Sequence, residues 1–118
     1  MKKHHFSEVD ALDVEEGAKD VKIRWLLTEK MGAATFVMRH FEIAPGGFTP
    51  LHAHVWEHEV YILSGTGVVV GNGQDNPFKA GDAILLPGGE EHQFRNTGTE
   101  PVTMLCLIPA RESECVQR

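Results

Sequence analysis

A chain of 118 residues with 42% hydrophobic residues is long enough for one domain with its own core and too short for two. Seventeen acidic residues against eleven basic ones give a net charge of −6, which excludes the electrostatic footprint of a general nucleic-acid binder. No apolar run approaches the roughly 20 residues that span a bilayer, so neither nucleic acid nor membrane is an expected partner.

In chain order, Met1-Lys2-Lys3-His4-His5 lacks the apolar stretch of a secretory signal, and the cytoplasm is the expected home. A weak helical pattern at residues 14–20 is interrupted by Gly17 and is read as loop. From Val21 onward, short runs rich in Val, Ile, Leu, Phe and Thr are punctuated by Gly, Pro and Asn, the pattern of an all-β barrel or sandwich. Strands are expected at residues 21–28, 34–44, 48–54, 58–63, 67–70, 83–86, 92–95 and 102–108. Pro45-Gly46-Gly47, Ser64-Gly65, Pro87-Gly88-Gly89 and Asn96-Thr97-Gly98 read as turns between them. Asn72-Gly73 is the best hairpin signal, because a type I′ turn needs positive φ at both central residues. Residues 1–20 are expected to pack on or extend a single barrel of residues 21–110, with 111–118 as a polar tail. Cys106 lies in an apolar run and Cys115 in the tail, so both are expected as free thiols.

Four of the seven histidines concentrate the chemistry. Three fall within His52-Ala53-His54-Val55-Trp56-Glu57-His58, and the fourth is His92. On a strand, His52 and His54 would present their rings on one face. A short connection would let the next strand bring in His58, and a later strand His92. Imidazole suits Zn, Cu, Fe and Ni, with Mn also accessible when water or carboxylate completes an octahedron. A lone histidine is more often hydrogen-bonded or at the surface, but four at this spacing favour a shared metal.

Two motifs carry a family resemblance. Gly46-x5-His52-x-His54-x3-His58-x6-Gly65 resembles the first cupin motif, and Gly81-x5-Pro87-x-Gly89-x2-His92-x3-Asn96 resembles the second. The resemblance implies a cupin jelly-roll β-barrel, a double-stranded β-helix, with a single metal on His52, His54, His58 and His92. The pattern has a glutamate where His58 stands, with Glu57 and Glu59 on either side; the distance to Gly65 favours His58, whereas a four-residue gap after His54 would choose Glu59, whose side chain should point oppositely. This four-histidine variant implies Mn first, with Fe, Ni or Zn as alternatives, and a homodimer. Four neutral imidazoles leave a divalent ion its full charge, so it is a stronger Lewis acid and holds a chelating anion better.

The function expected is that of a metal-dependent oxygenase, decarboxylase or isomerase acting on a small chelating anion. The alternative is a non-catalytic module that binds a small molecule or sugar, its metal serving structure or recognition. No acid, base or substrate clamp is evident, so catalytic residues are not assigned. Phe94 shares parity with His92 and is expected in an apolar wall. Phe36, Met38, Phe48, Tyr61 and Met104 are weaker pocket candidates, for which core or interface is the commoner role. His40 is expected at the surface or in an interface, Asn96 at a turn, Glu57 and Glu59 as solvated rim carboxylates or partners of a ligand ring, and Glu90 and Glu91 in solvent.

Overall fold

A computed structural model describes residues 1–110. The tail at 111–118 and Cys115 lie outside the described residues. The strands are β1 (Leu12–Val14), β2 (Lys19–Leu27), β3 (Phe36–Phe48), β4 (His58–Ser64), β5 (Thr66–Gly71), β6 (Gln74–Lys79), β7 (Ala83–Leu86), β8 (His92–Arg95) and β9 (Val102–Pro109). All pairings are antiparallel, and the order along the sheet is β6-β5-β8-β3-β9-β4-β7, with β2 on β3 and β1 on β2. The sheet curls into an all-β jelly roll: the pattern of short strands implied the all-β class, and the motif resemblance implied the jelly roll. Inward-facing Val37, Ile43, Ile62, Val102, Met104 and Ile108 are at most 2% exposed and form its core. Burying a side chain of this size contributes about 1.5–3 kcal/mol, which makes this row the main stabiliser of the curl.

Three local expectations are corrected. The run at 48–54 is not a strand: β3 ends at Phe48, and Pro50, which has no N–H to give a ladder, follows at once. Residues 49–57 instead touch β8 at isolated points, Thr49 to Phe94 and His52 to His92. Second, Pro45-Gly46-Gly47 bends a strand rather than ending one. Phe36 to Ile43 pair with β9, and beyond the glycines Phe48 pairs with β8. Gly46 takes φ +82°, which admits the bend without a Cβ penalty. Third, β1 and β6 went unread. β6 contains Pro77, a residue confined to sheet edges, and β6 is the edge strand at one end of the order. The Asn72-Gly73 turn before it has positive φ at both residues, and Gly71 faces Gln74 across it.

The N-terminal segment is held on the outer face. Arg24 Nη1 donates to the carbonyls of Phe6 and Val9, and the Phe6 ring stacks on His40 at 5.0 Å. His40 is thereby buried rather than at the surface, and burial, then the nearby Arg24 charge, holds its pKa below the ordinary value.

Asn96 fastens the corner that closes the second motif. Its Nδ2 donates to the carbonyls of Ile43 and Glu100, both at 2.8 Å, and its Oδ1 accepts from Gly98 N at 2.9 Å, all with the residue 3% exposed. Asn96→Ala strands these three backbone groups and is expected to cost about 2–4 kcal/mol, read as a lower urea midpoint at constant m-value. An unchanged midpoint would contradict this role.

Candidate metal centre

Three elements, the 49–57 segment, β4 and β8, bring the four histidine rings near one another. The 49–57 segment is tied to β8 by a reciprocal backbone pair, His52 N to His92 O at 3.2 Å and His92 N to His52 O at 2.9 Å. This brings the two rings to 5.2 Å between centroids. His54 follows two residues later, its ring 4.1 Å from that of His52 and lying flat on Trp56 at 4.4 Å. His58 opens β4, which pairs with β7 and β9 and not with the preceding segment, so the expected hairpin-like connection is absent. The ring nevertheless arrives 4.9 Å from His92 and 5.2 Å from His54.

The ligand atoms of His52, His54 and His92 all lie within 4.8 Å of one another. His52 Nε2 and His54 Nε2 are 3.1 Å apart. Two nitrogens each about 2.1 Å from an ion and at right angles about it stand roughly 3.0 Å apart, so this spacing fits a shared cation. His92 Nδ1 lies 3.0 Å from the Glu90 carbonyl oxygen and must donate to it, which leaves Nε2 with its lone pair. His58 Nε2 is buried without a partner. Its Nδ1 stands 3.3 Å from Cys106 Sγ and 3.4 Å from Arg39 Nη2, and with a proton on Nδ1, donated to sulfur, Nε2 keeps an unshared pair, although His58 falls outside the group of three within 4.8 Å. That orphaned atom and the tautomer fixed at His92 fit a divalent metal bound by neutral imidazoles.

Electrostatics keep the rings neutral. Burial, then the charge of Arg39, holds His58 down to about 2. Burial, then His54 and His92, holds His52 down to about 4. Burial lowers His54 and His92 as well, the latter despite its bond to Glu90. Glu57 and Glu59 are exposed, and Glu90 accepts from Asn72 Nδ2 at 3.2 Å rather than standing free in solvent.

The histidines form one side of a cavity of about 300 Å³. Phe94, as expected from its parity, and Met104 line it; Phe36, Met38, Phe48 and Tyr61 do not, and Phe36 and Tyr61 are exposed. Trp25, Phe41, Arg39 and Cys106 line it unforeseen. Arg39 had a signal: it shares inward parity with the apolar residues Val37, Phe41 and Ile43. Trp25, on β2, depended on knowing that β2 pairs with β3, opposite Arg39.

A small antiparallel barrel with a histidine-lined pocket opening among aromatic side chains is the class that fold and site define. Residues 39–108 match the family model described as a cupin domain, and the chain belongs to the cupin family. It is 37% identical over 94 residues, 78% of either chain, to an oxalate-binding protein of Thermotoga maritima. The solved structure of the polyketide cyclase RemF of Streptomyces resistomycificus superimposes with a TM-score of 0.87 and 38% identity, covering 93% of this chain and 80% of that one. A 1-methylthio-D-xylulose 5-phosphate methylsulfurylase of Rhodospirillum rubrum is 32% identical over 77 residues, 65% of this chain but only 49% of the relative. Among the described residues no helix is long and apolar enough to cross a membrane.

Proposed function

We propose that this cupin holds one divalent transition metal, Mn first among Mn, Fe, Ni and Zn, on His52, His54, His58 and His92. Its partner there is a small chelating anion. The observation that carries the reading is the convergence of the ligand atoms of His52, His54 and His92 within 4.8 Å, with the His58 ring 4.9 Å from that of His92 and its Nε2 buried and unpartnered. When bound, the metal supplies Lewis-acid polarisation of the ligand's oxygens. The chain's own part is to keep the rings unprotonated, to fix His92 through Glu90 and His58 through Cys106, and to seat the body of the ligand against Trp25, Phe41 and Phe94. Enzymatic turnover, of the oxygenase, decarboxylase or isomerase class, is the first reading, and the cyclase name among the relatives supports adding enolate chemistry to it. A binding module is the second, favoured by a relative named for binding oxalate.

Elemental analysis of protein purified without added metal is expected to give about one equivalent of a first-row metal, and metal-replete protein to consume a dicarbonyl, hydroxy-acid or catechol-like compound. Binding by calorimetry without product would select the module, and absence of both metal and ligand binding would overturn the proposal. The cytoplasm remains the proposed home.

We further propose a homodimer through the outer face of the sheet. Tyr61 and Leu63 on β4, Leu85 on β7 and Phe36 on β3 are each more than 40% exposed there, a concentration of apolar surface that marks an interaction site. Light scattering is expected to return twice the chain mass, and Tyr61→Glu with Leu85→Glu to return one; a wild-type monomer at micromolar concentration would contradict it.

A further inference from the structure

Arg39 is 5% exposed, yet among the described residues no carboxylate makes an ion pair or hydrogen bond with it. Among the described residues its Nε is buried with no partner, and its Nη2 has only Cys106 Sγ at 2.9 Å and His58 Nδ1 at 3.4 Å. The second of these is no hydrogen bond when His58 Nδ1 carries the proton that frees Nε2. A thiol is a weak acceptor, and burial pushes that of Cys106 upward, so it stays uncharged. Among the described residues the only acid lining the cavity is Asp13, whose side chain is 64% exposed and turned to Lys22 at 2.7 Å. The guanidinium instead lies over two aromatic rings, 5.6 Å from the centre of Trp25 and 5.1 Å from that of Phe41.

A buried charge without an opposite charge costs stability, and an apolar side chain at this inward position would continue the core row of β3. We propose that Arg39 is the counter-charge for the ligand: the cavity takes a flat, apolar-bodied anion whose carboxylate or enolate meets the unshared guanidinium edge, its ring against Trp25 and Phe41. Resting on the metal-and-anion reading above, the assignment adds the residue that selects the anion and the shape of the molecule that carries it. Arg39 is a binding residue that discriminates by charge. Its planar donor edge suits an oxygen pair in a way that a lysine ammonium does not.

Salicylate and salicylamide share one flat shape and differ in charge at neutral pH, so calorimetry on the metal-free protein isolates the charge. The wild type is expected to favour salicylate by at least about tenfold. Arg39→Met and Arg39→Gln are expected to bring the two affinities together with no loss of melting temperature, and Arg39→Lys to keep part of the preference. No preference in the wild type, or one that survives in the Met or Gln variant, overturns the assignment. Titrating Mn(II) into the same samples separates the two proposals. A preference without metal binding defeats the metal reading alone, and metal binding without a preference defeats the role of Arg39 alone.

Discussion

Alanine at His52, His54 or His92 is expected to lower the affinity for a divalent metal by more than about a hundredfold, since losing even a partner of a metal-bound ring costs about 10–100-fold. These three have their ligand atoms within 4.8 Å of one another, so removing any one opens the set. His58→Ala is expected to cost less, because that compact group survives it. His58→Glu brings back the carboxylate that the family pattern carries at this position. It is expected to keep the metal, and by reducing the ion's effective charge to weaken the hold on an anionic chelator. Competition against a coloured chelator reads each affinity directly. Equal affinities in wild type and His92→Ala would remove the site.

Acid is expected to destabilise the metal-free protein from about pH 6.5 downward. An imidazole in the unfolded chain takes up a proton near pH 6.5, whereas folded His52 resists until about 4 and folded His58 until about 2. Above pH 6.5 neither state binds the proton, and the contribution of these rings to stability is fully present. Below it only the unfolded chain does, so stability falls by up to about 1.4 kcal/mol per pH unit for each ring until the folded pKa is reached. Against a total of about 5–15 kcal/mol, two such rings are decisive. Urea unfolding at pH 7.5 and pH 5 measures the loss, which is expected to shrink in His58→Leu. Bound metal adds to the slope, because it requires the same rings neutral and leaves when the chain unfolds. Equal midpoints at the two pH values would show that the rings are not buried as described.

The parts legible in the sequence were those set by local chemistry. Glycine and asparagine marked the Asn72-Gly73 turn because positive φ is a property of two residues, and alternation placed Phe94 beside His92 because strand parity is a property of three. Asn96 was read as a corner residue, and the structure adds that its amide fastens three backbone groups there. The failures came where partners distant in sequence decide. Pro50 ends β3 and leaves His52 and His54 on an irregular segment, so they converge through one bridge to His92 rather than through strand geometry. His40 is covered by Phe6, and no local pattern reveals a cover 34 residues away. Arg39 was passed over because a charged residue in a strand reads as solvent-facing until its neighbours Val37, Phe41 and Ile43 fix it inward.

Anomalous diffraction from crystals of the metal-replete protein, collected on both sides of the absorption edge of the metal found by elemental analysis, tests the central claim most directly. The account predicts one peak per chain, within bonding distance of an imidazole nitrogen from each of His52, His54, His58 and His92. A peak elsewhere, or none among these four rings at full metal occupancy in solution, would contradict it.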